Sequence, residues 1–388
     1  MFSFAVEATD PQSQARLGRL TTPHGEVETP AFMPVGTRGA VKGVTPQQLA
    51  DTGAQIMLAN TYHLHLRPGA DAVAELGGLH RFIGWDRPIL TDSGGYQVFS
   101  LAELNEITDD GVVFRSHIDG ALVRLDPDVA MDIQQKLGAD VIMAFDQCPP
   151  IPAPREEVEA AVERTVRWAR RCREVHRRQD QWLFAVVQGG LHHDLRQSCT
   201  ERLIEIGFDG YAVGGLSVGE THRQMIDMLA DVTPRLPNDR PRYLMGVGMP
   251  RDIVAAVAAG IDLFDCVLPT RNGRNAYAFL PDGHLKLRNS RHRLSDEPLE
   301  TGCTCYTCRH FSRGYLRHLF GADEMLGPIL TSIHNLHFYQ RLMRRIRELI
   351  PQGKLHTIPH EFPVAAAAES NETGAEGPAR QPTERLDL

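Results

Sequence analysis

The sequence predicts an α/β protein: a closed (β/α)8 barrel with a small subdomain following the eighth strand. Three observations carry this reading. Eight apolar, strand-length runs recur along the first 265 residues. Helix-start signals lie between most of them, which favours a parallel sheet. Carboxylates, amides and paired glycines gather just after the runs, and in a parallel barrel those positions share one face. An open, doubly wound sheet has the same rhythm and is the alternative, because periodicity does not distinguish the two.

Taken in order, residues 1–30 read as turns and short strands ahead of the barrel. The runs are Ala31–Val35, Gln55–Asn60, Pro88–Asp92, Asp140–Asp146, Trp182–Gln188, Gly210–Gly214, Arg242–Gly246 and Ile261–Asp265. Thr45-Pro46 and Asp126-Pro127 pair an N-cap residue with proline at the first helical position. Pro154–Arg178 is long and amphipathic, with Val158, Val162, Val166 and Ala169 on one stripe. Met249–Gly260 opens on proline and closes on glycine. Past Asp265 the rhythm stops. Ala276–Leu287 reads as a hairpin turning at Asp282-Gly283, and Phe338–Leu349 as a basic helix. Residues 364–388 hold almost no large apolar side chains and read as a disordered tail. The expected division is therefore 1–270 for the main barrel, 271–335 for a basic subdomain, 336–360 for a closing helix and 361–388 for the tail.

Composition narrows the class. No run approaches membrane-spanning length and the N-terminus lacks a basic-then-apolar leader, so a soluble cytoplasmic protein is expected. The net charge of −8 hides an uneven distribution. Residues 271–354 carry 14 Lys and Arg against 7 Asp and Glu, whereas residues 1–270 carry 25 against 36. A basic block on an acidic protein is a local footprint for a polyanion.

Three of the seven cysteines crowd into Cys303-x-Cys305-x-x-Cys308, with His334 26 residues on. An odd number of clustered thiols argues against a disulfide framework and for a metal site. Three thiolates and one imidazole saturate a tetrahedral zinc ion, which makes the site structural. His310, His318 and His337 lie nearby as alternative fourth ligands.

The run ends hold the chemistry. Asp92-Ser93-Gly94-Gly95-Tyr96 follows the third, Asp146 ends the fourth, Gln188-Gly189-Gly190 the fifth and Gly214-Gly215-Leu216 the sixth. A turn or an N-cap explains any one of these. Together they suit a flat heterocycle: carboxylate and amide pair with its edges, glycines admit the backbone, and Tyr96 stacks. Asp265 ends the eighth run, and Arg271 and Arg274 follow it as a phosphate clamp. Asp92 opposite Asp265 matches the paired carboxylates of glycosidic chemistry.

The motifs Thr91–Gln97, Val187–Gly190, Ala212–Leu216, Phe264–Arg271 and the cysteine cluster, as a set, resemble the bacterial queuine tRNA-ribosyltransferases, or tRNA-guanine transglycosylases. The resemblance covers residues from about 5 to about 360 and implies a barrel with a zinc subdomain, working as a homodimer. It implies exchange of the wobble guanine in GUN-anticodon tRNAs for 7-aminomethyl-7-deazaguanine. Carried across, Asp265 is the nucleophile and Asp92 the general acid/base. Ser93, Gly94, Gly95, Asp146, Gln188 and the Gly215 N–H surround or read the base, Tyr96 and Met245 sandwich it, and the Leu216 carbonyl accepts from the aminomethyl group. Gly246, Val247, Gly248, Met249, Pro250, Arg251 and Asp252, with Thr270, Arg271, Asn272, Gly273 and Arg274, hold the RNA. Gln147 stands where the family has Glu, and Ala276 where Gly is common. Two other readings compete: a non-catalytic subunit of the same fold, which would lack the paired aspartates, and a zinc hydrolase, which would need an open metal position. Val218 favours the bacterial base, since a side chain there leaves little room for a bulkier 7-substituent.

Overall fold

A computed structural model describes residues 2–97, 105–116 and 118–366. Eight short parallel strands form one sheet: β1 (Ala31–Pro34), β2 (Met57–Ala59), β3 (Ile89–Thr91), β4 (Val141–Met143), β5 (Trp182–Val187), β6 (Gly210–Val213), β7 (Arg242–Leu244) and β8 (Leu263–Cys266). Each pairs with its neighbours in chain order, and β8 pairs with β1. A parallel bridge between Val35 and Leu58 joins β1 to β2, so the sheet closes. The barrel expected from the sequence is thus the fold, and the open-sheet alternative is excluded by the β8–β1 ladder together with the β1–β2 bridge.

Side-chain alternation fills the interior. Ala31, Met33, Val35, Leu58, Leu90, Val141, Met143, Phe184, Val186, Ala212, Tyr243 and Leu263 form one buried cluster, while Phe32, Ile142, Leu183 and Phe264 belong to the layer under the helices. That alternation matters at β8, where Leu263 points in, Phe264 out and Asp265 in again at the mouth.

The opposite end is closed by the first thirty residues, a three-stranded antiparallel sheet, Ser3–Thr9, Arg16–Thr22 and Gly25–Thr29. Leu20 and Val27 of this sheet join the interior cluster. Arg16 reaches from it to Asp262 in a buried bidentate pair, at 2.9 and 2.5 Å, and also donates to the carbonyls of Asn238 and Arg240. On the same end His24 and His80 stack 3.5 Å apart and bond the two oxygens of Asp140.

Three readings are corrected. The helix expected over Phe338–Leu349 starts at Leu326, so a boundary at 335/336 falls inside one continuous helix. Its apolar stripe extends upstream through Leu330 and Ile333, whose burial a basic C-terminal half concealed. Residues 361–366, expected in the tail, are structured: Ile358–Glu361 is helical, Pro363–Ala365 forms a 3-10 turn, and Phe362 packs edge-on against Phe338. Residues 367–388 of the expected tail lie outside the described ones. The hairpin turns at Pro281-Asp282, with Gly283 already paired to Leu280. A small antiparallel sheet, Asn105–Ile107, Val112–Arg115 and Leu122–Leu125, follows β3 and was not read from the sequence.

Candidate active site and metal centre

The eight strands bring the expected carboxylates to one mouth. Asp92 lies just beyond β3 and is almost fully buried. Its Oδ1 accepts from the Thr61 N–H at 2.8 Å, and its Oδ2 from Asn60 Nδ2 at 2.5 Å and Gln97 Nε2 at 2.7 Å. Burial still dominates those bonds and, with a small push from the Asp265 charge, lifts the Asp92 carboxyl to about 6. Asp265 accepts on Oδ1 from the Tyr243 hydroxyl at 2.6 Å and the Gly246 N–H at 2.7 Å. Burial raises its carboxyl too, and these two bonds oppose the rise. Tyr243 reaches Asp265 because both point inward from adjacent strands.

Asn60, Thr61, Gln97 and Tyr243 were not singled out from the sequence. Asn60 ends a strand run and Gln97 sits inside a quoted motif, so position hinted at both. Tyr243 carried no signal beyond its place in an apolar run.

A second cluster lies beside the pair. Asp146 accepts from Ser93 Oγ at 3.0 Å and Gln188 Nε2 at 2.8 Å. Burial raises its carboxyl against both bonds. Gln188 Oε1 is buried and has no partner among the described residues, an acceptor left for a ligand's N–H. The Gly95 position tolerates nothing larger, since a Cβ there would stand 2.6 Å from the Asp146 carbonyl. Cys148 faces the same space, and burial pushes its thiol up to about 12, so it is neutral there. Tyr96 is 49% exposed at the rim, and Met245 packs partly buried on the interior cluster. Leu216 is buried, Gly215 has φ 63° and Gly94 has φ 81°. Gln147, the residue after Asp146, accepts from Arg164 at 3.0 Å.

The two stretches expected to grip RNA flank Asp265. Gly246 is exposed, Met249, Arg251 and Asp252 are half-buried, and Val247, Gly248 and Pro250 are buried. Asp252 pairs with His222 at 2.6 Å, and Tyr339 donates to the Gly248 carbonyl at 2.5 Å. Thr270–Arg274 was read as a loop but forms most of a short helix, Leu268–Arg274. That helix turns Arg271 outward, leaves Asn272 and Arg274 half-buried, and packs Thr270 and Gly273 inward.

Cys303, Cys305, Cys308 and His334 form a group fit for one metal ion. His334 Nδ1 lies 3.8, 3.6 and 3.4 Å from the three sulfurs. Tetrahedral zinc with ordinary bond lengths separates sulfur and nitrogen ligands by about 3.6 Å. His334 Nε2 bonds the Phe279 carbonyl at 2.8 Å, which presents Nδ1 to the thiols, and none of His310, His318 and His337 joins the group. The next residue, Asn335, donates to the Pro269 and Tyr277 carbonyls and accepts from the Phe279 N–H, tying this centre to the Leu268–Arg274 helix.

A closed parallel barrel with two neighbouring carboxylates at its mouth and a Cys3His group fit for a metal ion has the architecture of a barrel enzyme. The family model described as queuine tRNA-ribosyltransferase matches residues 10–366. The chain is 52% identical to the queuine tRNA-ribosyltransferase of Desulforamulus reducens over 357 residues, 92% of this chain and 96% of that protein. It is 55% identical to that of Syntrophobacter fumaroxidans over 347 residues, 89% of this chain and 93% of that protein. For Acinetobacter baylyi the figures are 52% over 352 residues, 90% and 91%. The chain belongs to the queuine tRNA-ribosyltransferase family of tRNA-guanine transglycosylases.

Proposed function

We propose that this enzyme exchanges the wobble guanine of tRNAs with a GUN anticodon, those for aspartate, asparagine, histidine and tyrosine, for 7-aminomethyl-7-deazaguanine. The observation that carries the reading is the pairing of Asp92 and Asp265 beside the Asp146–Gln188 cluster. Asp265 Oδ1 is occupied by two donors, which leaves Oδ2 to attack C1′ of the ribose. As the C1′–N9 bond breaks, its electron pair goes to the base, and protonated Asp92 supplies the proton. The ribose is then held as an ester on Asp265. Asp92, now ionised, takes the N9 proton of the incoming base, which attacks C1′ and releases the carboxylate. Two inversions give retention.

Base recognition follows from the cluster. Asp146 and the free Gln188 oxygen accept from the amide edge, Ser93, Gly94 and Gly95 frame it, and Tyr96 and Met245 cover the two faces. The Leu216 carbonyl as acceptor for an aminomethyl group is supported by its neighbour. Ser217 donates its N–H to Glu220, and in a trans peptide that turns the Leu216 carbonyl the opposite way. Val218, half-buried and bonded through its N–H to Glu220, limits the 7-substituent.

The basic subdomain, with Arg271 and Arg274 beside Asp265, supports RNA phosphate contacts, and the exposed Gly246 supports a backbone contact. The Cys3His donor set favours zinc as the metal, and with four protein ligands its chemistry is structural. Exposed Tyr306, Tyr315, Leu294 and Met325 on that subdomain support a homodimer covering this face. No helix among the described residues is long and apolar enough to cross a membrane, and the reading places the enzyme with its tRNA in the cytoplasm.

The test is trapping. Enzyme, tRNA and a slowly resolving competing base should give an RNA–protein adduct that survives denaturation, and Asp265→Asn should lose both adduct and guanine exchange while still binding tRNA. Wild-type exchange in Asp265→Asn would refute the mechanism.

A further inference from the structure

Arg196 is fully buried in the helix His193–Ile206, and no ion pair to it exists among the described residues. A buried cation is costly unless its donors are matched. Here backbone carbonyls match them. Nε donates to Gly190 at 2.7 Å, Nη1 to Val187 at 3.3 Å, and Nη2 to Gly214 at 3.0 Å and Gly215 at 3.3 Å. These four carbonyls lie at the end of β5 and in the loops after β5 and β6, the segments that present Gln188 and Gly215. The approach is tight: a Cβ on Gly189 would meet the Arg196 backbone nitrogen and Cγ at 2.7 Å.

The bond to Gly214 has a directional consequence. In a trans peptide the carbonyl of one residue and the N–H of the next point opposite ways. Holding the Gly214 carbonyl down on Arg196 therefore aims the Gly215 N–H up, toward the pocket, where it faces the Cys148 thiol. Gly215 has positive φ, so this peptide is free to rotate unless something fixes it. The geometry points to Arg196 as a positioning residue that fixes the Gly215 N–H as a donor for a purine 6-carbonyl. It thereby sets selectivity for guanine-type bases over purines lacking that oxygen, without touching the base. This rests on the base-recognition reading above.

The experiment compares dissociation constants of guanine and 2-aminopurine, which lacks the 6-oxygen, for wild type, Arg196→Gln and Arg196→Lys. 2-Aminopurine also presents Asp146 with a different edge, but equally in every protein, so the change in the ratio reports the contacts that Arg196 positions: the Gly215 donor and, through the Val187 and Gly190 carbonyls, the Gln188 acceptor. In Arg196→Gln the guanine preference should fall about tenfold, with tRNA affinity kept within about twofold, the scale expected for one lost hydrogen bond. Arg196→Lys keeps the charge and length and should fold where Gln does not, but its single ammonium cannot hold both loops, so it should lose part of the preference. A folded variant of either kind with the wild-type ratio overturns the assignment. Failure of the wild-type enzyme to bind guanine at all would instead sink the base-recognition reading.

Discussion

The sharpest consequence at the scale of single residues concerns Asp92. Its carboxyl, lifted to about 6 chiefly by burial, is protonated below that value and ionised above it. The two half-reactions need opposite forms, so their rates should slope in opposite directions. Single-turnover formation of the ribosyl ester should fall as pH rises through about 6, and transfer to the incoming base should rise. Rapid-quench measurement of each step across pH 4.5–8 checks this, and parallel slopes would remove Asp92 from the proton transfer. Stability carries the same sign. The folded state holds this proton more tightly than the unfolded chain, so stability present at low pH is lost as pH rises through about 6. Relative to Asp92→Asn, the loss should total at most about 3 kcal/mol. Asp92 and Asp265 were legible in the sequence because they follow apolar runs in quoted motifs. Their donors were not, since Asn60 and Tyr243 look like ordinary strand residues until the barrel closes and brings adjacent strands together.

Among elements, the helix Leu326–Leu349 joins several tasks. It carries His334, anchors the Leu268–Arg274 helix through Asn335, and holds the Gly248 carbonyl through Tyr339. Metal loss should therefore reach the RNA grip before it reaches the base pocket. Cys305→Ser, or chelation of the wild type, should weaken tRNA binding at least tenfold while the dissociation constant for free base stays within about twofold; the size follows from mispositioning several phosphate contacts together. Titrations with each ligand separate the two, and equal losses in both would mean that the metal supports the barrel generally. Sequence spacing pointed to the Cys3His group because thiol clustering is rare and chemically narrow. It misplaced the start of this helix because Gly327-Pro328 reads as a turn, although Leu326, Ile329, Leu330 and Ile333 keep helical spacing. The sheet over residues 105–125 was missed for a similar reason: its strands are three or four residues long and half-exposed.

For the whole molecule, the N-terminal sheet and the barrel floor share one buried ion pair. Replacing Arg16 by Ala leaves the Asp262 carboxylate buried without its partner, which typically costs about 3–5 kcal/mol. Urea unfolding should show that loss, with the turnover of the remaining folded enzyme little changed, because Asp262 lies at the end of β8 away from the mouth. An unchanged midpoint would show that Arg242 and water compensate. The rhythm of runs exposed a parallel α/β sheet in the sequence but not its closure, which rests on β8 and β2 both meeting β1; the plug at its floor was not readable either, since strands pairing over a turn look the same wherever they dock. The same long helix supplies the final closure: Gln340 bonds the Phe32 carbonyl and Arg347 the Pro30 carbonyl, about three hundred residues after β1 was made. On the ribosome, at roughly 5–20 residues per second, β1 must then wait tens of seconds for the helix that covers it. Nascent chains arrested before residue 326 should expose the apolar outer face of β1 around Phe32, which Tyr339 of the helix later covers, and this makes the protein a natural client for chaperones that bind emerging chains.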